Sequence, residues 1–293
     1  MLAIIILIFQ TINYDSLYDY AKTGLVKFNA EKDSARKVFI NLGKEGIEYL
    51  AKKLDTKFSV ESNALEEMLK RMGKPAIEGI IKNIDYRGSD EESRNLRTSL
   101  RIIGETFKSD SSLTGDDIVP AIARFVDDYD WRVRSAAATV LGYSRSRKAL
   151  PHLLVGIKDS INIVRKSAAF GLKNISASED IPLLLNIVSD DYYGVRFAAH
   201  EALIKIGVQA IDAIAQHLKQ TEEPDVKSLL IRTLARIKDK KVLKIIKPYK
   251  EDPSVAVRLA VYEGNFDKKT LQKFLKIEKD PILQNYLKSK ISE

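Results

Sequence analysis

One spacing constrains this chain more than any other property it has. An Asp, five intervening residues and a basic side chain recur as Asp128 and Arg134, Asp159 and Arg165, Asp190 and Arg196, at a step of thirty-one residues, and again as Asp252 and Arg258. In the unit between the last two, Lys227 keeps the basic place and Thr221 stands where the acid is expected. Leu141, Leu172, Leu203 and Leu234 repeat at the same step, as do Pro120, Pro151 and Pro182. A period of about 20 to 50 residues marks a stacked repeat, in which each unit is too small to bury its own apolar face and needs its neighbours.

Each unit reads as two helices. The first follows the pattern of residues 133–142, VRSAAATVLG, and the second that of residues 149–154, ALPHLL. Runs of small Ala let helices approach closely, and the leucines supply a buried stripe. Upstream, a first helix is expected over Tyr14–Phe28, followed by pairs 34–42 with 44–54, 63–72 with 75–84, and 91–106 with 117–126. Gly43 and Gly73 stand where a helix ends in a left-handed conformation, and Pro75 suits a first helical turn. The polar insertion KSDSSLTGDD at 108–117 reads as a surface loop that is also placed to bind. Further pairs fill 131–277, and a polar helix at 281–291 caps the end.

These units resemble HEAT-like repeats of the short, phycobilisome-lyase type, closely over 128–264 and more loosely over 30–127. The resemblance implies an all-α fold: an α-solenoid of about eight stacked antiparallel helix pairs, a right-handed superhelix with a concave face made by the second helices. On this reading residues 14–293 form a single solenoid and residues 1–13 a separate hydrophobic segment.

That segment contains LAIIILIF at residues 2–9, too short for a spanning helix but within the length of a signal-peptide core. No Lys or Arg precedes it and no pair of small residues follows closely. Export or membrane tethering through this run is favoured over a cytoplasmic location, with a cap packed on the first repeat as the competing reading. Any membrane contact is expected only here.

Composition narrows the chemistry. The chain lacks Cys, which removes disulfides, thiolate nucleophiles and zinc sites of the Cys type. Its net charge of +8 is uneven: residues 219–293 hold 18 basic against 11 acidic side chains, leaving 30 against 29 before them. Nucleophile elbows, Gly-rich phosphate loops and metal-spaced carboxylates are absent from the sequence. Deoxyhypusine hydroxylases share this repeat type and bind two irons through several His-Glu pairs; here only His200-Glu201 forms such a pair, three positions late in its helix, and neither His152 nor His217 is followed by Glu. Bilin lyases offer no distinct motif to match. In alkylpurine DNA glycosylases the groove is basic, whereas the corresponding column here is Arg124, Val155, Asn186 and His217. No cofactor and no catalytic residue is therefore expected.

The recurrent Asp-Arg column reads as structural: an Arg at the start of each first helix is expected to bond the Asp that ends the preceding unit. The function expected is a non-enzymatic scaffold for a protein partner. Its candidate contact residues are Trp131, Asn162 and Tyr193, which share one repeat position, with Tyr129 and Tyr192 beside them. One alternative is a nucleic-acid or other polyanion binder using Lys241, Lys244, Lys247 and Lys250, spaced by three along one helix face. The other is an enzyme or enzyme-assembly factor related to repeat-type lyases, with its residues in the irregular N-terminal units.

Overall fold

The computed structural model describes residues 13–85 and 93–292; the apolar run at 2–9 lies outside them. Among the described residues the chain is helical with no strand, and none of its helices is long and apolar enough to cross a membrane. It divides into two compact units, Met1–Gly156 and Ile157–Glu293. The first holds α1 (Tyr14–Ala21), α2 (Asn29–Asn41), α3 (Lys44–Ala51), α4 (Ser59–Met72), α5 (Lys74–Ile81), α6 (Arg94–Ser109), α7 (Val119–Ala123), α8 (Trp131–Tyr143) and α9 (Leu150–Gly156). The second holds α10 (Asn162–Ile175), α11 (Ile181–Ile187), α12 (Tyr193–Ile206), α13 (Ile211–Gln220), α14 (Pro224–Arg236), α15 (Lys240–Ile246), α16 (Val255–Tyr262), α17 (Lys268–Ile277) and α18 (Pro281–Ser292).

Within each unit, first helices of successive pairs lie side by side: α4, α6 and α8 in one, α10, α12, α14 and α16 in the other. The sequence columns explain this packing. Ala137 and Ala138, Ala168 and Ala169, and Ala198 and Ala199 are all buried, so the facing helix meets almost bare backbone. Leu141, Leu172, Leu203 and Leu234 are each 0% exposed. Truncating any of them to Ala should cost about 2–5 kcal/mol. Pro120, Pro151 and Pro182 take the second position of α7, α9 and α11, where no backbone donor is lost. Short 3-10 turns at Arg147–Ala149, Ser178–Asp180 and Gly207–Ala210 precede three of the second helices, which are shorter than the pattern suggests.

Three local features depart from expectation. The first helix stops at Ala21 instead of running to Phe28; Val26–Phe28 form a separate 3-10 turn, and between them Gly24 lies against Val60, whose Cγ1 would be 3.0 Å from an added Cβ. Gly43 and Gly73 do have positive φ, +56° and +65°, but their ψ values of −119° and −140° lie outside the left-handed helical region. Only glycine occupies that region comfortably. The insertion at 108–117 is tied down by Arg145, whose guanidinium donates to the carbonyls of Phe107, Asp110 and Leu113. Arg145 itself sits at φ +54°, an uncommon conformation for a side chain of its size.

Candidate functional site

The recurrent Asp and Arg are joined differently from the simple carboxylate pair expected. Arg134, Arg165, Arg196 and Arg258 each donate to the backbone carbonyl of the Asp six residues earlier, at 2.8, 3.1, 2.8 and 2.8 Å. The carboxylates of Asp128, Asp159, Asp190 and Asp252 instead accept the backbone N–H two residues on, at 2.8–2.9 Å, and so shape the turn that opens the first helix. The reason is reach: the turn folds the carboxylate over its own chain and leaves the carbonyl facing the Arg.

Ion pairing in the second unit runs forward, to the acid of the following repeat. Arg165 forks onto Asp190, Nε to Oδ2 at 2.9 Å and Nη2 to Oδ1 at 3.1 Å. Lys227 lies 3.9 Å from Asp252, and Arg258 forks onto Glu278. Burial pushes the Asp190 carboxyl up, but Arg165 and the Tyr192 N–H together bring it below its ordinary value. Arg196 is the member whose forward acid would be Thr221. Among the described residues it makes no ion pair; its guanidinium lies over the Tyr193 ring at 5.7 Å. The missing acid therefore leaves Arg196, not Lys227, without a charged partner.

The same junction is stitched at its other end. His200 is 4% exposed, and its Nδ1 lies 2.7 Å from Thr233 Oγ1. Because the Thr233 hydroxyl donates to the Leu229 carbonyl, its oxygen accepts from Nδ1–H, which leaves Nε2 to accept from Arg236. Burial, with Arg236 adding to it, pushes the imidazole down to about 4 and keeps it neutral. Glu201 bonds Lys173 and Arg236, so one carboxylate links α10, α12 and α14. His200-Glu201 is thus a packing element. Among the described residues no three His, Cys, Asp or Glu are grouped to hold a metal ion.

The edge aromatics open onto grooves between first helices. Trp131, 37% exposed, rims a groove of about 310 Å³ whose sides are α6 and α8. Leu100, Gly104 and Ala136 give it an apolar lining, and Arg97, Arg101 and Arg132 bring charge. Tyr193, 61% exposed, stands at the same repeat position over a groove of about 330 Å³ between α12 and α14. Phe197 stacks on Tyr193 with ring centroids 6.0 Å apart, and His200 and Arg232 complete the lining. Asn162 is exposed, Tyr129 is 71% exposed and Tyr192 half-buried; none of the three lines either groove. The flanking arginines were not legible as groove residues, because their role depends on which helix lies alongside.

The lysine stripe is less uniform than its spacing. α15 ends at Ile246 and tightens into a 3-10 turn over Lys247–Glu251, which interrupts the single helix face expected. Lys241 bonds Asp212 at 3.1 Å and Lys250 pairs with Glu251, so only Lys244 and Lys247 of the four make no ion pair among the described residues. Lys268, Lys269, Lys273 and Lys276 on α17 are exposed as well, a basic set the stripe did not include.

Residues 82–173 match the family model for HEAT repeats. No curated protein matches the chain in sequence. Among solved structures, YibA of Escherichia coli is 17% identical, with a TM-score of 0.47 over 85% of this chain and 91% of its own. Human deoxyhypusine hydroxylase is 16% identical, with a TM-score of 0.37 over 81% and 98%. The CpcE–CpcF complex of phycocyanin lyase from Nostoc sp. is 13% identical, with a TM-score of 0.38 over 81% and 93%. Likeness at this level carries no functional argument. The chain is an all-α helical-repeat protein, and its stretch over residues 82–173 is similar to HEAT repeats.

Proposed function

We propose that the protein is a non-enzymatic scaffold that binds a protein partner along the edge of its first helices. The observation that carries this reading is the sole tryptophan, Trp131, left 37% exposed at the rim of a groove with an apolar lining. A large ring held at the edge of such a slot is a typical binding anchor, since it covers much area at little cost in conformational freedom. Tyr193 repeats the arrangement in the second unit, over its own groove.

Affinity capture from cells of the native source, comparing the wild type with Trp131→Ala and with Tyr193→Ala, tests the reading. A partner retained by the wild type and lost from either variant supports it. Equal capture by all three, with both variants folded, would remove the aromatic edge from the function.

A further inference from the structure

Two second helices of the second unit, α15 and α17, carry lysines and no acid. On α17, Lys269, Lys273 and Lys276 are spaced by four and three, which confines them to about 60° of the helix surface, on the side away from the buried Leu271 and Phe274. On α15, Lys240 and Lys244 stand opposite the buried Val242 and Ile246, and Lys247 follows in the 3-10 turn. The buried sides of the two helices converge on Gly264: an added Cβ would lie 3.0 Å from Ile246 and 3.0 Å from Phe266, whose ring meets Phe274 edge-on at 5.1 Å. All six lysines are exposed, and among the described residues none of them makes an ion pair. The acids that flank these helices, Asp239, Asp267 and Asp280, are taken up in helix starts, accepting the N–H of Lys241, Thr270 and Ile282. Apolar side chains stand beside the charge. Ile277, one turn beyond Lys273, is 42% exposed, and Ile282, in the first turn of α18, is 76% exposed.

We propose that this face docks on an anionic membrane surface, with the lysines among the headgroups and Ile277 and Ile282 entering the boundary of the acyl region. Three observations carry it. The lysines lack internal acids to neutralise them, and a cluster of this size on amphipathic helices is what an anionic lipid surface attracts. Lysine is a hydrated point charge suited to a diffuse layer of headgroups, whereas a nucleic-acid backbone favours guanidinium forks, and α15, α17 and α18 contain no Arg. Exposed isoleucines gain nothing against phosphodiesters but are stabilised in a bilayer interface. The proposal is independent of the partner reading, since no residue of the Trp131 groove takes part in it.

The test sediments the full chain with vesicles of phosphatidylcholine alone and with vesicles that also contain about 30% phosphatidylglycerol, at about 0.1 M salt. The anionic vesicles should retain the protein about tenfold or more better, and about 0.5 M salt should release it. The apolar run at 2–9 would act alike on both vesicle types, so it does not produce the difference. Each Lys near such a surface is worth about fivefold in binding, so Lys269→Gln, Lys273→Gln and Lys276→Gln together should weaken retention on the order of a hundredfold. A control of equal charge change at exposed positions of the first unit, Lys52→Gln, Lys57→Gln and Lys82→Gln, should stay within about threefold of the wild type. Ile282→Ser should weaken retention several-fold.

Equal retention on neutral and anionic vesicles overturns the proposal, as does an equal loss in the two triple variants, which would trace binding to net charge and not to this face. A mixed-sequence DNA duplex that displaces the protein from anionic vesicles, together with an Ile282→Ser variant that behaves as wild type, would make the face a nucleic-acid surface and overturn it too. If the triple variant does not fold, hydrogen exchange of the wild type decides: anionic vesicles should protect residues 268–277, and no protection there would contradict the docking.

Discussion

Arg258 grips both carboxylate oxygens of Glu278, Nε to Oε2 at 2.9 Å and Nη2 to Oε1 at 3.1 Å, while the Tyr262 hydroxyl donates to the same carboxylate at 2.7 Å. The Glu278 side chain is only 1% exposed. This is the forward rung of the ladder in its last unit, with Glu twenty residues on replacing the Asp that serves Arg165 twenty-five residues on. Glu278→Ala should leave Arg258 and Tyr262 facing an empty site and cost about 3 kcal/mol, read from urea denaturation.

The same carboxyl makes an acid-sensitive contribution. Burial pushes Glu278 up, but Arg258, the Asp280 N–H and Tyr262 outweigh it and hold the group at about 2, against an ordinary 4.5. Its folded value is depressed, so the unfolded chain protonates first. The stabilisation is complete above 4.5 and lost as pH falls toward 2, by on the order of 3 kcal/mol. Glu278→Gln should flatten the stability profile across that window; an unchanged profile would mean the carboxylate is solvated.

His200 gives a second window at higher pH. Its folded value of about 4 lies below the ordinary 6.5, chiefly through burial, with Arg236 and Arg232 lowering it further and Glu201 opposing. Above 6.5 both states are neutral and the contribution is intact. Between 6.5 and 4 the unfolded chain takes up a proton that the folded one refuses, and stability falls, on the order of 3 kcal/mol. Proton NMR of the His200 ring should show titration well below 6.5, and an ordinary value would contradict the buried, Thr233-bonded geometry.

The junction at Arg196 should be the softest place in the second unit. α12 packs less extensively on α14 than α10 does on α12 or α14 on α16. Arg196 also lacks the forward acid that Arg165 has. Hydrogen exchange should be faster over residues 215–235 than in the neighbouring repeats. Thr221→Asp should restore the turn and the rung together and stabilise by about 1 kcal/mol. Uniform protection across the repeats, or destabilisation by Thr221→Asp, would show that the missing acid is of no consequence.

The two edge aromatics should separate in their effect on stability. Tyr193, 61% exposed, should tolerate Ala with a loss below about 1 kcal/mol, whereas Trp131, largely covered on one side, should lose about 2. Thermal melts of the single variants check this. A fall at Tyr193→Ala as large as at Trp131→Ala would make Tyr193 a packing residue.

The helical-repeat fold was legible in the sequence because a stacked architecture writes the same requirement once per unit. Leu141, Leu172, Leu203 and Leu234 had to be apolar, and Ala at their neighbours had to be small, wherever the preceding helix passes. Arg and Asp could be paired by column, but not bond by bond, since the forward rung from Arg165 to Asp190 depends on how the next helix is set against the first. The clefts along α6 were illegible for the same reason. Arg94, Arg97 and Arg101 carry no repeat signature, and only the packing of α4, which places Ser59 and Ser62 opposite them, and of α8, which brings Trp131 alongside, makes them cleft residues. The lysines at 241–250 show the converse: a regular spacing looked like a stripe, but the helix ends at Ile246 and acids at 212 and 251 neutralise two of the four.

The most direct test of the scaffold reading is hydrogen–deuterium exchange on the full chain with and without the captured partner. The expected result is new protection over residues 94–105 and 131–139, the two helix stretches that border the Trp131 groove. A footprint confined to residues 240–276, or one that leaves both of the groove's helices unprotected, would contradict it.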